Sequence, residues 1–267
     1  MNNNVVLVHT EYGSIYVMKN DIIGLEILNK GYHEDNIVKI LSKYTDGGMV
    51  IDIGSNIGST SLALMTMDKS CKVRSFEPQL YLAQMQKETM KKNDYLDRIR
   101  IYHNAVGHKC IRSITLSSTF NHIDSLEGRN SEINYDDNHL RNYGGINIGQ
   151  GGEIVDMITI DSIFCDTEMT EKISLIKIDV EGFETEVLLG ATNTLNDNNL
   201  KAIIIELNGS GQRYGYDEIN IHKMLLEYGF TMYSYNPFKR EFTIANEIGN
   251  LNTIYLRDIE ISSPQQN

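Results

Sequence analysis

The chain has 267 residues, room for one α/β domain with additions, and its 41% hydrophobic content is enough for a sizeable core. It carries 24 basic and 36 acidic residues, a net charge of −12. Such a chain repels a phosphate backbone except at a local patch, which sets nucleic acid aside as the expected substrate. No apolar run approaches the roughly 20 residues that span a bilayer, and the start, MNNNVVLVHTEYGS, shows neither a basic nor an apolar leader. A cytoplasmic protein without a secretory signal or transmembrane segment is expected.

The three cysteines, Cys71, Cys110 and Cys165, are odd in number and show no CxxC spacing. That argues against a disulfide framework or a zinc site, and they read as small buried hydrophobes.

In chain order, Val5–His9 and Ile15–Met18 alternate around EYGS and predict a small hairpin. Ile37, Ile40, Leu41 and Tyr44 have the spacing of one helix face, ended by DGG at 46–48. Residues 1–46 are expected to pack on a main domain at 47–260. There MVIDIG is a strand, SLALMTM a helix, CKVRSFEP a strand stopped by Pro78, LYLAQMQKETMKKN a helix and IRIYHNAVG a third strand. The pair Lys91-Lys92 sits at a helix end, where cations suit the dipole. This alternation predicts a doubly wound, mainly parallel sheet.

Residues 108–155 break the rhythm, with polar residues and NYGG at 142–145. An inserted hairpin at RSITLSS (112–118) and an arching loop are expected, with VDMITI (155–160) returning as a strand. ISLIKIDVEG then forms the fourth main strand, TEVLLGATNTL a helix, KAIIIELN the fifth strand and 216–228 another helix. FTMYSYN and NTIYLRD are two last, antiparallel strands joined around Pro237. The tail, 261–267, is expected to be disordered.

The most informative stretch is VIDIGSNIGSTS (50–61), a strand running through Asp52, Gly54, Ser55, Asn56 and Gly58 into a helix near Ser59. Glycines allow a sharp turn and close approach of a ligand. The helix start offers N–H groups suited to a phosphate or a carboxylate. Glu77, 23 residues after Gly54, is placed to accept hydrogen bonds from ribose hydroxyls. Asn56 occupies the middle-glycine position of the dinucleotide fingerprint, where a pyrophosphate needs bare backbone, which argues against NAD or FAD. S-adenosylmethionine has a ribose, an ammonium and a carboxylate and needs no such space.

These segments, with FEP, TIDSI, IKIDVEGFETEVLLGA and IIIELN in order, resemble the FkbM-type methyltransferases, as do GYHE (31–34) and NYGG. The resemblance covers roughly residues 30 to 235. It implies a Rossmann-like class I methyltransferase fold, a seven-stranded mostly parallel sheet with the last strand antiparallel and helices on both faces. It also implies S-adenosylmethionine over the carboxyl ends of the strands. Glu77, beside Pro78, would hold the ribose. Asp52, Gly54, Ser55, Asn56, Gly58, Ser59 and Thr60, together with Glu34, would shape the methionine end, and Asn104 and Ala105 would lie near the adenine.

The resemblance implies O-methylation, and a sugar or glycan hydroxyl is the expected acceptor. The alternatives are an NAD(P)-dependent sugar oxidoreductase and a non-catalytic binding module on the same fold.

IKIDVEGFE places Lys177 and Asp179 on one side of a strand covered on both faces. A buried lysine needs a carboxylate partner, for which Glu206 is the expectation. Asp179, then Glu181, are the candidates for taking a hydroxyl proton. Glu184 reads either as a helix first-turn acid or as a site residue. Asp179, Glu206 and Asn208 are hard oxygen ligands that suit Mg²⁺, or else a hydrogen-bonded network at the sheet end. Asp161 reads as a helix cap, His103 as core or rim, and His222 as surface. Tyr214 and Tyr216 read as acceptor-pocket walls or as packing.

Overall fold

The computed structural model describes residues 4–45, 47–117, 145–146, 148–149, 151–163, 172–236, 241–245, 248 and 252–257. Residues 142–144 of NYGG, Cys165, Pro237 and the tail lie outside these. The expected hairpin forms as β1 (Val5–Thr10) and β2 (Gly13–Met18). Next comes α1 (Ile22–Lys30), which the sequence reading did not anticipate although its signals are present. The Asp21 side chain accepts from Gly24 N, and Gly31 closes the helix in the left-handed region. Then α2 (Asp35–Leu41) buries Val38, Ile40 and Leu41.

The main sheet contains β3 (Met49–Ile53), β4 (Lys72–Phe76) and β5 (Ile99–Tyr102), with α3 (Ser59–Met67) and α4 (Leu80–Lys92) between them. The expected third strand splits. It leaves the sheet at Tyr102, and β6 (Ala105–Val106) joins a separate three-stranded sheet with β7 (Ile111–Ser117) and β8 (Gly151–Ile158). Here β7 pairs antiparallel with β8 itself, instead of forming a hairpin within the insert. After α5 (Ile160–Ile163) come β9 (Ile173–Ile178), α6 (Glu184–Leu189), α7 (Thr192–Asn196) and β10 (Ala202–Glu206). One helix was expected where α6 and α7 stand. Gly190 divides them, and a Cβ there would lie 2.1 Å from Gly107 O. A short 3-10 helix (Ser210–Tyr214), α8 (Glu218–Glu227), β11 (Thr231–Asn236), β12 (Glu241–Ile244) and β13 (Asn252–Leu256) complete the chain.

The strand order is β12-β11-β13-β10-β9-β3-β4-β5. β5, β4, β3, β9 and β10 pair in parallel, and β13 is antiparallel to both β10 and β11. The sheet is mostly parallel, as expected, and has eight strands instead of the seven that the resemblance implied, because β12 adds to the edge at β11. The expected antiparallel pairing of the last two long strands holds, although β12 lies between them in sequence.

Alternation sends Val50, Leu175, Ala202 and Ile204 into one core, with the hairpin, α2 and α3. Ile51, Ile53, Ile176, Ile178, Ile203 and Ile205 enter the other. The winding reverses between β3 and β9, where an open α/β sheet leaves a crevice at its carboxyl ends. At that point the backbones approach closely. Gly54 has φ +75°, and a Cβ on it would stand 1.7 Å from Asp179 O. Gly54→Ala is therefore expected to lower stability by on the order of 3 kcal/mol, read from the urea midpoint.

Candidate active site

A cleft of about 970 Å³ opens at this reversal. The Gly-rich turn between β3 and α3 forms one wall and is fixed from beneath. Ser55 Oγ, Ser75 Oγ and Gln86 Oε1 form a buried network, with Ser55 and Ser75 at 2.7 Å. Gln86 fills the space a side chain at Gly58 would need.

Within the turn every backbone N–H is already used. Gly54 N and Ser55 N donate to Phe76 O, and Gly58 N donates to Ser55 O. Asn56 N donates to Glu77 Oε2 at 2.9 Å, and Ile57 N donates to Asn56 Oδ1 at 2.7 Å. The turn from Gly54 to Gly58 itself leaves no N–H for an anion, so the expected helix-start donors lie beyond it, in the first turn of α3 at Ser59 and Thr60. Anion binding needs free N–H groups, and here the Asn56 side chain and Glu77 consume them.

Glu77 is 3% exposed, at the end of β4, and its Oε1 accepts from Gln79 N. Burial pushes its carboxyl up to about 7, against the two backbone N–H groups that favour the anion.

The floor of the cleft is ionic. Lys177 Nζ lies 2.9 Å from Asp179 Oδ2 and 4.0 Å from Glu34 Oε2. Lys177 is 4% exposed, whereas Asp179 keeps 29% of its side chain open to the cleft. Burial pushes the lysine pKa down, but Asp179, Glu34 and Asp52 outweigh it and raise it. Burial likewise pushes Asp179 up, and Lys177 and a hydrogen bond from Glu206 together hold it below the usual carboxylate range. The partners of Lys177 are thus Asp179 and Glu34, not the expected Glu206. Glu206 hydrogen-bonds Asp179 instead. Glu34 enters from the turn before α2, where Asn252 Nδ2 donates to its Oε1 at 2.5 Å.

Three residues lining the cleft, Glu34, Asn56 and Glu181, have φ of +53°, +52° and +55°. Non-glycine residues held there concentrate at functional sites.

Residues 52–232 match the Methyltransferase FkbM domain. The chain belongs to the FkbM methyltransferase family. It carries an S-adenosylmethionine-dependent methyltransferase domain. A curated relative, the 2-O-methyltransferase NoeI of Sinorhizobium fredii, is 29% identical over 160 residues, or 60% of this chain. The chain spans 63% of the length of that relative. A methyltransferase from Geobacter sulfurreducens aligns at a TM-score of 0.45 and 12% identity, covering 88% of this chain and 87% of that one. An S-adenosylmethionine-dependent methyltransferase from Aquifex aeolicus aligns at 0.42 and 13%, covering 86% and 95%.

Of the residues expected at the cofactor in this FkbM-family chain, Glu34, Gly54, Ser55, Asn56, Ser59, Thr60, Glu77, Pro78, Asn104 and Ala105 line the cleft. Asp52 and Gly58 do not. Asp52 is fully buried behind the floor, opposite Lys177 in register, and Ser61 Oγ donates to its Oδ2 at 2.6 Å. The three catalytic candidates, Lys177, Asp179 and Glu181, all line the cleft. Glu184 is a loop support, its Oε1 accepting from Val180 N and Gly182 N.

Tyr214 lines the cleft and packs edge-on against Phe183, with ring centroids 5.2 Å apart. Sequence spacing did not point to Leu116, Ile146, Ile148 and Phe183 as lining residues, since they come from distant segments. Tyr216 turns away to Glu186, which His108 also contacts.

The Asp179, Glu206 and Asn208 set does not fit Mg²⁺. The two carboxyls are hydrogen-bonded to each other, and Asn208 Oδ1 accepts from Ser210 N at 2.9 Å. Among the described residues no cluster of three His, Cys, Asp or Glu side chains is arranged for a metal.

Asp161 caps α7 from α5, accepting from Asn193 N and Thr194 N. His103 Nε2 sits between Pro78 O and Glu153 at the rim. His222 is half-buried against Tyr255, not on the surface, and Cys110 is exposed while Cys71 is buried. Among the described residues no helix is long and apolar enough to cross a membrane.

Lys177→Met would leave Asp179, Glu34 and Asp52 facing one another. A loss of about 3 kcal/mol is expected at pH 8. Lys177 depresses the Asp179 pKa, so its contribution is present above the unfolded carboxylate value and is lost as pH falls below it. Urea midpoints at pH 8 and pH 2.5 should show the deficit shrinking at the lower pH.

Proposed function

We propose that this chain is an O-methyltransferase that moves a methyl group from S-adenosylmethionine to a hydroxyl on a sugar or glycan-type acceptor. One observation carries the reading. A single cleft has the buried carboxyl of Glu77 along one wall and the lysine-held carboxylate of Asp179 on its floor.

The residues fit the cofactor. Glu77 would take the ribose hydroxyls, while Glu34, Ser59 and Thr60 would take the methionine end. Pro78, Asn104 and Ala105 would flank the adenine. When bound, S-adenosylmethionine supplies an electrophilic methyl group. Asp52 and Gly58 act from behind, as supports of the turn and floor.

The chain's own part is positioning and proton removal. Asp179 is held ionised by Lys177, and its exposed part faces the cleft, so it receives the acceptor's hydroxyl proton on its carboxylate. A weak base suffices, because an oxygen gaining a methyl group becomes strongly acidic. The wall of Leu116, Ile146, Ile148, Phe183 and Tyr214 supplies an apolar and aromatic surface of the kind on which a sugar ring face packs. The 2-O-methyltransferase relative is in keeping with oxygen as the acceptor.

The nicotinamide reading is disfavoured, because Asn56 stands where a pyrophosphate needs bare backbone and the N–H groups from Gly54 to Gly58 are bonded within the protein. Calorimetry is expected to detect S-adenosylmethionine and not NAD, and binding of NAD alone would overturn the proposal. Glu77→Ala should weaken S-adenosylmethionine at least about tenfold, the loss of a charged hydrogen-bond acceptor. Asp179→Asn should leave that affinity within about twofold while lowering transfer to a glycan fraction by about 100-fold or more. Transfer is followed with methyl-labelled S-adenosylmethionine.

A further inference from the structure

We propose that Glu206 is a positioning residue that keeps its proton at neutral pH and donates it to Asp179, aiming that carboxylate into the cleft. Its part in turnover rests on the methyltransferase reading above, whereas the location of the proton does not.

Strands β9 and β10 run parallel, with Ile178 opposite Ile205. Asp179 and Glu206 each follow directly, so the register sets them at adjacent strand ends, about 5 Å apart along the hydrogen-bonding direction. Ile178 and Ile205 both enter one core, so Asp179 and Glu206 share the opposite face, where their carboxyls come within reach of a hydrogen bond. Two carboxyls in that contact cannot both ionise, so one proton stays between them.

Lys177 decides which oxygen pair keeps it. Its Nζ lies against Asp179 Oδ2 and fixes the negative charge there. The proton therefore resides on Glu206. Burial first, then the charge on Asp179, push its carboxyl up to about 9.

The groups facing this pair from each packed element agree. Lys177 comes from β9, and Glu181 from the loop after it. From β13 the register partner of Glu206 is Asn252, which is uncharged and whose Nδ2 donates to Glu34. His33, Glu34 and Asp52 lie on the Lys177–Asp179 side. Lys177 is the cation within the cluster, and it is committed to Asp179 and Glu34.

Asp179 thus accepts from two donors, an ammonium and a carboxyl, and so stays ionised and in one orientation. A glutamine in place of Glu206 keeps a donor at this point at every pH. An alanine removes it.

The test uses the full chain with carboxyl-labelled glutamate, followed by carbon NMR from pH 2.5 to 10. One glutamate resonance is expected to titrate near 9 and to vanish in Glu206→Gln. With labelled aspartate, the Asp179 resonance should keep its low pKa in Glu206→Gln and rise in Glu206→Ala. If no glutamate titrates above 8, or if Glu206→Gln raises the Asp179 pKa, the proposal is wrong. The wild-type and Glu206→Gln measurements decide this even where Glu206→Ala does not fold.

In turnover, Glu206→Gln should retain at least half the wild-type rate at pH 7 and lose the fall in activity near pH 9. A hundredfold loss in Glu206→Gln would instead make Glu206 the proton acceptor. If the resonances behave as stated and no methyl transfer is found, the methyltransferase reading fails and the proton assignment stands.

Discussion

The contact between Lys177 and Asp179 is the interaction on which the cleft depends. A buried ammonium is unfavourable alone, and so are carboxylates crowded at adjacent strand ends. Lys177 resolves both by standing among Asp179, Glu34 and Asp52. Each comes from a different part of the fold. Asp52 lies on β3 in direct register with Lys177, Asp179 follows β9, and Glu34 arrives from the turn before α2. The same pair therefore ties the N-terminal segment to the sheet at the point where the winding reverses.

That arrangement follows from strand alternation. The face of the sheet that carries Val50, Leu175 and Ile204 is apolar through the middle of the strands. Toward the carboxyl ends its side chains become Asp52, Lys177 and Glu206. The parallel sheet is covered on both faces, so these groups have no access to bulk water from either layer. They must satisfy one another, and the open end of the crevice receives only what they leave exposed. Asp179 is the group left partly exposed, which is why it and not Lys177 faces an acceptor.

Much of this was legible in the amino-acid sequence where the signal is local. The turn at Gly54–Gly58, the acid at Glu77 and the Lys177–Asp179 alternation need only spacing along the chain. What the spacing does not contain is which distant group meets which. Glu34 replaced Glu206 as a further partner of Lys177 because a turn far away in sequence folds over the floor. The turn's saturated N–H groups depend on the Asn56 rotamer and on Glu77 reaching across from β4, neither of which is encoded in glycine positions. The strands β7 and β8 were visible as alternating runs, but their pairing across the intervening segment is a tertiary choice. Helix α1 is a different case, since Asp21 and Gly31 bracket it with ordinary cap chemistry, so its absence from the sequence reading was a missed signal.

The site also sets a stability cost that points back to its use. The carboxyls of Glu77 and Glu184 are pushed up to about 7 and that of Glu206 to about 9, against 4.5 for a free glutamate. In each, burial is the largest cause. The folded chain then holds protons that the unfolded chain releases, so these groups lower stability as pH rises from about 4.5 toward 7, and for Glu206 toward 9. Apolar residues of similar size would carry no such penalty. Glu184 returns part of its cost by accepting the two loop N–H groups that set Glu181 and Gly182 in place. Glu77 does the same for Asn56 and Gln79. Among the described residues the hydrogen bond of the Glu206 carboxyl goes to Asp179. A half-buried acid whose hydrogen bond goes to a carboxylate in a cleft is better explained by what it does to that carboxylate than by what it does for the fold.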